Sequence, residues 1–116
     1  MLRLCHIDDI PDEASKGFQL DGLALFAVKK AGAVYVYKNQ CPHLGVQLEW
    51  LDDQFLDSEQ ALIQCATHGA LFIIESGLCV SGPCLGEQLQ TVRHEIKDGN
   101  ILVDLTSLER QEQDSF

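Results

Sequence analysis

Residues 41–45 read Cys41-Pro42-His43-Leu44-Gly45, and residues 65–69 read Cys65-Ala66-Thr67-His68-Gly69. Each stretch pairs a cysteine with a histidine, once as C-x-H and once as C-x-x-H, and each is followed closely by glycine. On a tight loop, a thiolate and an imidazole at this spacing both point into one cavity, and the glycine lets the backbone approach without a Cβ clash. Four soft or borderline donors on two facing loops make a metal site. Such a Cys2His2 set holds either one tetrahedral zinc or a two-iron cluster with both cysteines on one iron and both histidines on the other. Zinc fingers with these ligands present the cysteines together and the histidines together. Here each loop supplies one of each, which suits a two-metal cluster whose ends need different ligands.

Around these loops the chain alternates short apolar runs with turn residues, the pattern of an all-β domain. Strands are expected at Leu2 to Ile7, Phe18 to Leu20, Leu23 to Val28, Ala33 to Tyr37 and Ala61 to Cys65, with Ile10 to Gly17 as a loop. Hairpins are expected about Lys29-Lys30-Ala31-Gly32, Glu75-Ser76-Gly77 and Asp98-Gly99-Asn100. In Ala33 to Tyr37, Val34 and Val36 alternate with Tyr35 and Tyr37, so the two pairs face opposite sides. The stretch from Val46 to Gln60 has no clear period. Its acids Asp52, Asp53, Asp57 and Glu59 read as a solvated loop or as the rim of a docking surface. The tail from Thr106 to Phe116 is polar, either frayed or a short helix.

The 116 residues suit one domain, and 46% hydrophobic content supports a packed core. Eight basic and eighteen acidic residues give a net charge of −10. That charge disfavours nucleic acid and anionic lipid and attracts basic protein surfaces. No run approaches the roughly 20 apolar residues of a membrane span, and no secretory signal is visible, so the expected location is the cytoplasm. The five cysteines, an odd number, read as metal-binding before they read as a disulfide framework. Cys5 is expected in the core. Cys79 and Cys84 read as buried small residues, with a disulfide between them as the alternative. His6 and His94 read as ordinary strand or surface histidines.

C-P-H-L-G, then C-x-x-H-G, then Gly82-Pro83 downstream, resembles the Rieske [2Fe–2S] family over about residues 41–86. The resemblance implies a single domain over 1–116. Antiparallel base strands would lie at about 1–38 and 87–105, with a cluster-binding subdomain at about 39–86 and a tail at 106–116. It implies one [2Fe–2S] cluster, with Cys41 and Cys65 on the inner iron and His43 and His68 on the outer, and Gly82-Pro83 in a loop covering it. The 21 residues between His43 and Cys65 exceed the usual family interval, the extra length falling in the acidic stretch.

The ligand set governs the electron affinity. Two thiolates and two neutral imidazoles leave an oxidised core near neutral, so reduction is easier than in a four-cysteine site, within a range of roughly −150 to +300 mV. High-potential members carry a second motif resembling C-P-C-H-G-S-x-Y, whose serine and tyrosine hydroxyls donate to sulfur. Here Ala70 and Phe72 stand at those positions, Thr67 replaces the cysteine, and Val46 replaces its disulfide partner. A low potential is therefore expected. The implied function is one-electron carriage, as a ferredoxin or ferredoxin-like component between a reductase and an oxygenase or other reductive enzyme, without catalytic residues of its own. The alternatives are a structural zinc module and the small subunit of a nitrite-reductase-like enzyme.

Overall fold

Residues that are apolar on both faces of a strand need a core on each side, and one sheet of this protein has two. The computed structural model describes residues 2–40, 55–57, 61–65, 69–82 and 85–106. Strands β2 (Ala14–Leu20), β3 (Leu23–Lys30) and β4 (Ala33–Lys38) form an antiparallel sheet in that order. From β3 and β4, Leu25, Ala27, Val34 and Val36 enter one core, while Phe26, Val28 and Tyr37 enter the other. The alternation of valines and tyrosines expected for β4 is the one observed.

The first core is closed by the sheet β1 (Leu2–His6), β9 (Asn100–Asp104) and β8 (Arg93–Lys97), ordered β1-β9-β8. It contributes Cys5, Ile101 and Val103. The second core is closed by β5 (Leu62–Gln64), β6 (Leu71–Ile73) and β7 (Cys79–Ser81), ordered β5-β6-β7. It contributes Ile63, Phe72 and Cys79. The fold class is all-β, as expected, with no α-helix among the described residues. One 3-10 turn, Ile7–Asp9, follows β1. His6 is more than a strand histidine there: its Nδ1 accepts from the Asp8 N–H at 3.1 Å, and its own N–H donates to the Asp9 carboxylate at 3.0 Å.

The third sheet extends beyond its three strands. Leu56 bridges Ile63, and Gln64 N donates to Phe55 O at 2.9 Å, which adds 55–57 outside β5. Leu78 bridges Gln88, and Cys79 N donates to Glu87 O at 2.8 Å, which adds residues near 88 outside β7. The Asp57 carboxylate accepts from Ala61 N at 2.9 Å and Leu62 N at 3.2 Å. This acid holds a hairpin turn and is more than a solvated charge. The rest of the 46–60 stretch, with Trp50, Asp52, Asp53 and Glu59, lies outside the described residues, as does the tail from 107.

One strand start differs from expectation, while the expected β3–β4 hairpin forms with Gly32 at positive φ. The chain begins β2 at Ala14, inside the stretch read as a loop. Among the described residues β2 pairs with β3; it is half-buried along most of its length and holds Ser15, Lys16 and Gly17, which carry no apolar alternation. The β3–β4 turn also puts Ala31 at φ 52°, costing of order 1 kcal/mol for a residue with a Cβ. Carboxylates from the preceding loop offset it: Glu13 accepts from Ala31 N at 3.3 Å and Asp12 from Gly32 N at 3.0 Å.

Candidate metal centre

Cys65 follows β5 directly and is fully buried. Its N–H donates to Ala70 O and its carbonyl accepts from Gly69 N, both at 2.8 Å. These bonds tie Cys65, at the end of β5, to Gly69 and Ala70, just before β6. The Cys65 side chain belongs to the second core, which also holds Ala70, Phe72 and Cys79. Of the four expected ligands, Cys65 is the one among the described residues. Cys41, His43 and His68 lie outside them.

A second loop returns over the first. Leu85 N donates to Gly82 O, and Gly86 N to Cys79 O, each at 3.2 Å. Gly82 has φ 104°, and a Cβ on it would stand 2.8 Å from the Ala70 Cα and 3.0 Å from the Ala70 Cβ. Backbone therefore presses on backbone where Gly82-Pro83 was expected to cover the cluster. Pro83 and Cys84 themselves lie outside the described residues. Cys79 Sγ donates to Ser81 O at 3.2 Å. Leu85, at the tip of this loop, is 68% exposed.

The approach to Cys41 is equally fixed. Lys38 N donates to Gln90 O at 2.9 Å and Asn39 N to Ala24 O at 2.8 Å. Gln40 N then donates to Lys38 O at 2.9 Å, a three-residue turn that takes the chain out of β4 just before the cysteine. Fully buried Ala70 and Phe72 bring no hydroxyl to this region.

The donor chemistry fits an iron–sulfur group. Cys65, buried beside the contact of Gly82 with Ala70, would supply a sulfur ligand shielded from water. Sequence reasoning missed Tyr37. Its hydroxyl donates to Ile74 O, and burial, followed by the Glu75 and Tyr35 charges, pushes its pKa up to about 12. No residue pattern marked it, because its partner is a backbone carbonyl.

The described residues form an all-β domain in which Cys65 is a buried candidate ligand beside the contact of Gly82 with Ala70. The Rieske [2Fe–2S] domain model matches residues 1–101, and the chain belongs to that family, with a Rieske [2Fe–2S] cluster as its cofactor. Over 75 residues the chain is 33% identical to the cytochrome b6-f complex iron-sulfur subunit of Chlorobaculum thiosulfatiphilum. That match covers 65% of this chain and 38% of the subunit. The structure is similar to the ferredoxin of carbazole 1,9a-dioxygenase from Nocardioides aromaticivorans IC177, with TM-score 0.70 and 21% identity, covering 89% of this chain and 97% of that one. It is also similar to a chain of the reduced complex between oxygenase and ferredoxin in carbazole 1,9a-dioxygenase, with TM-score 0.74 and 21% identity, covering 87% of this chain and 27% of that one. At these identities the two structural likenesses concern the fold.

Proposed function

We propose that the protein is a one-electron carrier of ferredoxin type that passes electrons from a reductase to an oxygenase or a similar reductive enzyme, and that it has no catalytic group of its own. The observation that carries this reading is the two-way coverage of the ferredoxin fold, 89% of this chain against 97% of that ferredoxin. Cys41 and Cys65 are the ligands of the inner iron, and His43 and His68 those of the outer iron. When bound, the cluster supplies a one-electron couple. The chain's own part is to hold Cys65 in a dry core, to set Gly82 against Ala70, and to leave hydroxyl donors out of positions 70 and 72. That last feature favours a couple at the low end of the family range.

Residues 1–38 and 87–105 serve as the base and 39–86 as the cluster-binding part. Exposed Leu85 on the covering loop gives a redox partner an apolar contact. The net charge of −10 favours partners with basic docking surfaces. No helix among the described residues is long and apolar enough to cross a membrane, which is compatible with the cytoplasmic location proposed here.

The test is a visible spectrum, a metal analysis and EPR of the dithionite-reduced protein. A red-brown protein with two irons per chain and a rhombic signal of low average g is expected, together with reduction by a ferredoxin reductase. Colourless protein with one zinc per chain sinks the reading.

A further inference from the structure

The strand leading to Cys41 and the hairpin following Cys65 are joined by a buried hydrogen bond. Tyr37 stands in β4 four residues before Cys41. Its side chain is buried, and its hydroxyl donates to Ile74 O, just past the end of β6. Four residues back along β6 from Ile74 is Ala70, whose carbonyl holds Cys65 N. The Tyr37 ring occupies space that Gly77 keeps open, since a Cβ at 77 would come 2.8 Å from Tyr37 Cε1. The ring's centroid also lies 5.7 Å from that of Phe26, which stacks on Phe55 at 4.4 Å with 4° between planes. Phe55 O in turn accepts from Gln64 N, the residue before Cys65. A row of three rings thus spans the interface from the Cys65 approach to the β6–β7 turn. A second tie, Lys30 Nζ to Glu75 at 2.9 Å, joins the β3–β4 and β6–β7 turns at the surface.

We propose that Tyr37 is a positioning residue for the cluster: its hydroxyl pins the register between the arm that delivers Cys41 and the hairpin that delivers Cys65, and so sets the spacing of the two ligand loops. This rests on the ligand assignment proposed above. The two arms are equal, four residues from Tyr37 to Cys41 and four from Ile74 to Ala70. An extended chain advances about 3.3 Å per residue, so each arm reaches at most roughly 13 Å from the pin. A slip at the pin is carried along both arms to the ligands, because packed sheets shift as units rather than deform.

Y37F tests this, since it keeps the ring and removes only the hydroxyl. The control is I101V, a methylene removed from the other core, where Ile101 is fully buried. Y37F is expected to broaden and shift the EPR g-values of the reduced protein and to move its midpoint potential. It is also expected to release iron about fivefold faster, the factor that one hydrogen bond of ordinary net strength represents. I101V, at an equal or larger loss in Tm, is expected to leave g-values and potential unchanged. Wild-type spectra and potential in Y37F overturn the proposal, as does an equal change in I101V. If Y37F gives no folded protein, K30M carries the test. It cuts the surface tie, with the same broadening expected in weaker form, and unchanged K30M spectra then overturn the proposal. A wild-type protein without the low-g signal overturns the carrier reading itself, which separates the two failures.

Discussion

Gly82 and Ala70 meet backbone to backbone: a Cβ at 82 would stand 2.8 Å from the Ala70 Cα, and Gly82 sits at φ 104°. Both the clash and the left-handed conformation oppose any side chain there. G82A is expected to lower stability by about 2 kcal/mol, combining backbone strain with a displaced loop. It is also expected to bleach faster in air as the covering loop lifts off 69–70. Thermal melts and the decay of visible absorbance measure the two effects.

Fully buried Ala70 and Phe72 offer no hydroxyl to sulfur. A70S introduces a donor at the position where high-potential relatives carry serine. A hydrogen bond that favours the reduced form by about 1 kcal/mol raises a one-electron potential by roughly 40 mV. Protein-film voltammetry is expected to show an upward shift of that order. A downward or absent shift would contradict the account of the low potential.

The Tyr37 pKa, pushed up to about 12 by burial, makes the fold alkali-sensitive. The folded state holds this proton more tightly than the unfolded chain, whose tyrosines titrate near 10. The stabilisation is therefore complete below about pH 10 and is lost as pH rises towards 12, with a size of roughly 2–3 kcal/mol. Urea midpoints of the wild type between pH 9 and pH 12 should fall more steeply than those of Y37F, which has no proton to lose there.

Asp57 accepts two backbone N–H groups at the turn between residues 57 and 62. D57A is expected to lose about 1–2 kcal/mol in urea unfolding. Electron transfer to a partner is expected to slow as ionic strength shortens the screening length to about 10 Å at 0.1 M. D57A should show the same salt slope as the wild type, because this carboxylate serves the turn. A markedly flatter slope in D57A assigns Asp57 to docking instead.

The centre of the fold was legible because β3 and β4 carry apolar residues on both faces and end in turns rich in glycine. Strand β2 was not, since Ser15, Lys16 and Gly17 carry no apolar alternation and the bond from Phe55 N to Ser15 Oγ forms only in the fold. The Asp21-Gly22 turn, with Asp21 at φ 53°, carried the Asp-Gly signal and belongs to the same class as Asp98-Gly99. In the proposed site, Cys65 and Gly82 stood out as motif residues, but the contact between Gly82 and Ala70 was not legible. Tyr37 and Asp57 were not, because their partners are backbone groups of Ile74, Ala61 and Leu62. A carbonyl or an amide leaves no trace in residue identity, and for Tyr37 only the fold brings the partner within reach.

The pairing of β1 with β9 sets Leu2 opposite Val103, 103 − 2 = 101 positions apart in sequence. The β2–β3–β4, β5–β6–β7 and β8–β9 pairings, by contrast, close over short hairpins. Of the strand pairings described, joining the first strand to the last carries the largest loop-closure entropy. Because those two strands lie side by side, a short linker can bridge them. New termini opened at the β3–β4 turn would then yield a circular permutant that converts the most distant contact into a local hairpin and speeds assembly.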